Sequence, residues 1–144
     1  MNTSQAILER WVARTMESYP AQTLAFLSNE KDPFRNPVGH VLRENLGTLV
    51  RELLGTMDEG AIAPALDALI RLRAVQDFSA SEAVRFIFDL RAVICEVSGQ
   101  VDEVLQNRID WLALTAFDQY TICREQISTL RMKENRFRAE CAAQ

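Results

Sequence analysis

From Asp102 to Cys141 the chain carries no glycine and no proline. Nothing in that stretch stops a helix once it has begun, so the pattern predicts one continuous helix. About forty helical residues rise about 60 Å. A chain of 144 residues folds into a globule only about 37 Å across. The helix is therefore longer than the domain that carries it. Its end must overhang, dock on a second copy, or lead into another module.

The two halves of this stretch differ. Val104, Leu105, Ile109, Trp111, Leu112, Leu114 and Phe117 make the first half apolar nearly all round, which places it in the core. The core is expected over residues 1–117. Further on, Ala116, Tyr120, Cys123, Ile127, Leu130, Phe137 and Cys141 recur at spacings of three and four, interrupted by Glu134. Asp118, Arg124, Glu125, Arg131, Lys133, Arg136 and Arg138 occupy the other faces. A narrow stripe among charges is the pattern of a seam between two helices. Residues 118–144 are expected to protrude. Ala116, Tyr120, Cys123, Ile127, Leu130 and Phe137 are the candidate dimer seam.

Five shorter helices are predicted upstream. Ile7, Leu8, Trp11, Val12, Met16 and Tyr19 form one stripe over about Thr3 to Tyr19. A short helix follows Pro20 through Leu24, Phe26 and Leu27. Two prolines and two asparagines make Asn29 to Pro37 a loop. Pro37 then suits the first position of a third helix, with Val38, Leu42, Leu46, Leu49, Val50, Leu53 and Leu54 inward and Gly55 as its end. The fourth helix is expected over about Ala61 to Gln76, with Ile62, Leu66, Leu69 and Ile70 inward. Ser79 and Glu82 have capping-box spacing and open the fifth, which Gly99 ends. Val84, Phe86, Ile87, Phe88, Leu90, Val93, Ile94 and Val97 leave it little polar face, so it is expected at the centre.

These elements make an all-α, six-helix bundle with a long C-terminal helix, in a single domain. Five glycines and four prolines are too few for the turns of an all-β fold, and 48% hydrophobic residues suffice for a core. A net charge of −4 provides no electrostatic footprint for nucleic acid or for a basic contact with membrane. No apolar run is long enough to cross a bilayer, and the N-terminus lacks the apolar segment of a signal peptide. Cys95, Cys123 and Cys141 are odd in number and widely spaced, as in a reduced cytoplasmic protein.

No catalytic or metal signature is present. The chain has no nucleophile elbow, no Glu-x-x-His pair and no Gly-rich phosphate loop, and no cofactor is expected. His40, the lone histidine, stands in the first turn of the third helix. Such a residue ordinarily caps or faces solvent; the alternative is a ligand contact, with haem the cofactor that one histidine could serve. Arg71, Arg73, Gln76 and Asp77 cluster at the end of the fourth helix. Arginines there suit the helix dipole, or else an anion or partner site. Asp118 and Arg124 are not spaced to pair with each other, so each is expected to meet another helix. A redox role for Cys123 would need a lowered thiol pKa.

Three stretches together, NPVGHVLRENL (36–46), IRLRAVQDFSASEAV (70–84) and AFDQYTICREQI (116–127), resemble the N-terminal domain of the RsbRD-type RsbT co-antagonist proteins. The similarity extends over about residues 5–135. It implies a non-enzymatic, sensor-like regulatory domain. In the wider co-antagonist group this domain is similar to a globin that lacks haem and dimerises. A long exit helix leads to a C-terminal STAS domain that binds the RsbT kinase and is phosphorylated on threonine. The sequence stops at Gln144 without a STAS domain, so it reads as a stand-alone input domain or a segment of a longer protein. A homodimer and a STAS or kinase partner are the partners so implied. Binding of haem or another apolar ligand, and service as an accessory or assembly factor that uses Arg71, Arg73 and Arg124 as contacts, are the alternatives.

Overall fold

The computed structural model describes residues 2–143. Met1 and Gln144, the two ends of the expected domain, lie outside the described residues. Six helices account for the fold: α1 (Thr3–Met16), α2 (Ala21–Asn29), α3 (Pro37–Leu53), α4 (Glu59–Val75), α5 (Ala80–Ser98) and α6 (Glu103–Ala142). The class is all-α, as the periodicity predicts, and α6 runs unbroken for 40 residues.

Five of the six helices begin on a side-chain cap. Asn2, Asn36, Asp58, Ser79 and Asp102 each accept a backbone N–H from the first turn that follows, satisfying one of the donors a helix start leaves free. The predicted capping box is formed in both directions. Glu82 N donates to Ser79 Oγ at 3.3 Å, and Ser79 N donates to Glu82 Oε1 at 3.1 Å. Asn36 does more than cap. It is buried, and its amide also donates to the carbonyls of Leu27 and Glu30 at 3.0 and 2.9 Å. One side chain thus closes the proline-rich loop onto the end of α2.

Three helices end under an arginine from another element. Arg43 donates to Leu27 O at 2.6 Å at the end of α2, Arg108 to Leu53 O at 2.9 Å at the end of α3, and Arg124 to Ala74 O at 3.0 Å at the end of α4. Each meets the negative end of a helix dipole and one of its free carbonyls. Since Arg108 and Arg124 both belong to α6, that helix is strapped across the ends of α3 and α4.

The core forms where α5 packs on α1 and α6, α4 packs on α3 and α6, and α1 packs on α3. Leu42, Leu46 and Leu49 of α3 are fully buried, as are Ile62, Leu66 and Ile70 of α4. Each such side chain contributes about 1.5–3 kcal/mol of transfer free energy. Trp11 lies against Phe86 with ring centroids 6.0 Å apart, and its indole N–H donates to the Phe86 carbonyl at 2.6 Å.

Several expectations are corrected. α1 stops at Met16 rather than Tyr19, because Ser18 N and Tyr19 N turn back onto the carbonyls of Thr15 and Met16. α4 begins at Glu59, earlier than Ala61, under the Asp58 cap. Gly55 is not the left-handed residue after α3; Met57 is, at φ 58°. Leu54 and Phe88, read as inward, are exposed. In α6, Val104, Leu114 and Phe117 face solvent, whereas Ala116, Tyr120 and Cys123 are buried in this chain's own core. The core therefore extends past Phe117. α6 has only one neighbour-covered side, formed by Ile109, Leu112, Ala113 and Ala116, and residues on its other faces cannot be buried however apolar they are.

Candidate functional site

Polar side chains from the turn after α1, from α4 and from α6 meet at the end of α4. Asp77 takes φ 62°, so the chain reverses there. Phe78 N donates to Arg73 O at 3.2 Å and Asp77 N to Ala74 O at 3.3 Å, the paired bonds of a Schellman ending. The reversal leaves the Asp77 carboxylate facing α6. Arg124 donates to it at 3.2 Å and Arg131 at 3.4 Å. These bonds, that from Arg124 first, hold its carboxyl below the usual aspartate range.

Arg73, one turn earlier, points inward and is only 2% exposed. It occupies the position that the stripe Leu66, Leu69, Ile70 would give to another apolar residue. Its guanidinium lies 4.8 Å from the centre of the Phe78 ring and 5.3 Å from that of Phe86, a cation–π arrangement. Burial pushes its pKa down. Gln76 accepts from the Tyr19 hydroxyl at 2.8 Å. Tyr19 is itself raised by burial, partly offset by the Arg73 charge. The Tyr120 hydroxyl donates to the Phe78 carbonyl, so α6 is bonded to this corner at both Tyr120 and Arg124.

Of the sequence candidates, Arg73, Gln76 and Asp77 are thus brought together. Arg71 stands on the outer face of α4, paired with Asp67 at 2.8 Å and close to Gln126 at 3.4 Å. His40 takes no part in the cluster. It is exposed, bonds Glu44 at 2.8 Å, and lines a surface cleft of about 280 Å³ with Lys31, Asn36 and Arg43. A histidine so placed has no apolar pocket around it in which to hold a haem. The arginines proposed as contacts with a larger complex are mostly engaged within the chain: Arg73 is buried and Arg124 caps α4.

Sequence reasoning missed Thr15, Ser18, Arg85 and Asp89, which share a cleft with Arg73. One signal was available: Thr15 stands four residues after Trp11, a polar side chain on the buried stripe of α1.

Residues 5–134 match the family described as the RsbT co-antagonist protein rsbRD N-terminal domain. The chain belongs to that family. No curated protein and no solved structure matches it. The family is a regulatory one, and the cluster at the end of α4 falls inside the matched residues. As an rsbRD N-terminal domain, the chain keeps Ala116, Tyr120 and Cys123 for its own interior. That part of the expected seam is corrected, because the stripe up to Cys123 already has α4 as its partner. Burial also pushes the Cys123 thiol up, the opposite of what a reactive cysteine needs. Ile127 is half-buried, whereas Leu130 and Phe137 are exposed. No helix among the described residues is long and apolar enough to cross a membrane.

Proposed function

We propose that this chain is the input domain of a stress-response regulator, that it dimerises through the overhanging end of α6, and that a change in how two such helices pack carries its signal. The observation behind this reading is the continuity of one stripe. Ala116, Tyr120 and Cys123 lie on the face of α6 that packs within the fold. Ile127, half-buried, prolongs that face past Arg124, and from Leu130 through Phe137 it is uncovered. An apolar stripe prolonged at the same spacing suits a second helix better than water. In a dimer, that second helix is α6 of another copy.

Family membership supports the regulatory part, with a STAS-domain or kinase protein as the downstream partner, in the cytoplasm and without enzymatic activity. A haem-free, globin-like architecture is consistent with six helices and an exposed His40. Light scattering with Leu130→Glu/Phe137→Glu tests the dimer. The wild-type chain is expected at twice the monomer mass. The double variant is expected as a monomer with unchanged helical circular dichroism, since neither side chain is buried in the fold. A wild-type chain that stays monomeric at working concentration overturns the reading.

A further inference from the structure

Arg73 is a buried cation with no carboxylate in hydrogen-bond or ion-pair contact; Asp89 acts on its charge only from a distance. Its hydrogen bonds are two, both 3.4 Å long and both to neutral acceptors, from Nη1 to the Glu82 carbonyl and from Nη2 to Ser18 Oγ. Its Nε is buried and has no partner. A charge taken out of water is costly unless it is paired, and the two flanking rings offset only part of that cost.

The cleft beside it explains the arrangement. It measures about 240 Å³ and lies between the end of α1, the end of α4 and the first turns of α5. Thr15, Ser18, Arg73, Arg85 and Phe86 line it. Thr15 Oγ1 is the second buried polar atom there without a partner. Of the two carboxylates at the cleft, Asp89 lies 3.6 Å from Arg14 and steadies the Arg73 charge without touching it, and Glu82 accepts from Ser79 N.

We propose that this cleft binds a small carboxylate, held side-on by Arg73 Nε and Nη2, with the Thr15 and Ser18 hydroxyls and Arg85 around it. Nε and Nη2 lie on one edge of the guanidinium, and that edge matches the two oxygens of a carboxylate. The rings of Phe78 and Phe86 lie over the guanidinium, and the unpartnered Nε marks the edge as the place for a ligand. Asp89 and Glu82, both at the cleft, repel a doubly charged ion such as phosphate more than a singly charged carboxylate. The volume is that of about eight water molecules, which suits an acid of a few carbons whose apolar end rests on Phe86.

As the signal of an input domain, the ligand rests on the reading above, but binding and dimerisation are measured separately. The probes are acetate, propionate, butyrate and benzoate at millimolar concentration, with phosphate as the contrast. The readout is the thermal midpoint together with the Nε–Hε resonance of Arg73 in nitrogen-15 spectra. At least one carboxylate is expected to raise the midpoint saturably and shift that resonance, in the wild type and in Leu130→Glu/Phe137→Glu alike. Arg73→Lys keeps the charge and loses the fork, and is expected to weaken binding about tenfold or more, the loss of one charge-assisted hydrogen bond.

Two substitutions outside the core keep the test open should Arg73→Lys not fold. Arg85→Gln is expected to weaken binding and Asp89→Asn to strengthen it. A wild-type chain that answers to no carboxylate, a response to phosphate alone, or affinities unchanged in Arg85→Gln and Asp89→Asn would each overturn the site. None of those outcomes bears on the light-scattering result.

Discussion

At the scale of single residues, Asp77 combines a backbone role with an electrostatic one. Its positive φ turns the chain out of α4, and its carboxylate then receives Arg124 and Arg131 from α6. Asparagine is among the few other residues that tolerate this backbone region, so Asp77→Asn removes the charge and leaves the turn. The folded pKa of Asp77 is depressed, chiefly by the bond from Arg124. The stabilisation it carries is therefore fully present above the unfolded value, near 3.9, and is lost as pH falls through the lower folded value. Thermal unfolding of wild type and Asp77→Asn is expected to differ by a constant amount from about pH 5 to 7 and to draw together as pH falls below about 4, converging only below the folded value. A gap that does not narrow at all as pH falls below about 4 would show that the charge is not its source. The turn itself was hard to see in the sequence. Left-handed positions ordinarily read as glycine, yet Asp77 and Met57 fill two of them, while Gly55 takes an ordinary φ.

At the scale of elements, the starts of the helices were the most legible feature. A cap is a local device, written within four residues, and Ser79 with Glu82 could be recognised without the rest of the chain. Ser79→Ala removes the hydroxyl that accepts from Glu82 N and is expected to cost about 1 kcal/mol, read from urea unfolding, with most of the effect at α5. A change below about 0.3 kcal/mol would mean that the Glu82 carboxylate holds the turn alone, since replacing such a cap typically costs about 0.5 kcal/mol or more. The helix ends were less legible, because their partners come from far along the chain. Arg108 lies more than fifty residues beyond the Leu53 carbonyl it caps, and Arg124 likewise reaches back to Ala74. Periodicity named the apolar residues of α6 correctly but not which would be covered. Val104, Leu114 and Phe117 are exposed because only one face of that helix has neighbours. The Arg73 cleft was half legible: Arg73 stood out in the cluster at the end of α4, but Thr15, a hydroxyl on the buried stripe of α1, was missed, and only the fold brings α1, α4 and α5 to one place.

At the scale of the whole molecule, the issue is how two overhanging helices would meet. Counting along the stripe, Ile127, Glu134 and Cys141 fall seven residues apart, with Leu130 and Phe137 between them, which is the alternation of a two-helix seam. In a parallel, in-register pair each of these residues faces its own copy. Two exposed Cys141 thiols would then stand opposite each other near the open end, where the helices are free to adjust to disulfide geometry. In an antiparallel pair centred on Glu134 the two thiols would sit about 20 Å apart along the axis, too far for a bond. Mild oxidation of the wild type is therefore expected to yield a covalent dimer on a non-reducing gel, and Cys141→Ser is expected to abolish it. Cys123 is buried and cannot substitute. Cys95 is also exposed, but it sits on α5, away from the seam, so a bond through Cys95 would survive Cys141→Ser. Glu134 provides a second handle on the same geometry. Two facing carboxylates repel, so Glu134→Gln is expected to speed cross-linking in the parallel arrangement. Dimers by light scattering that never cross-link through Cys141 would leave the seam in place and reverse its direction. The exit ends of the two helices would then point apart, and a signal carried by α6 would reach two separate partners instead of one.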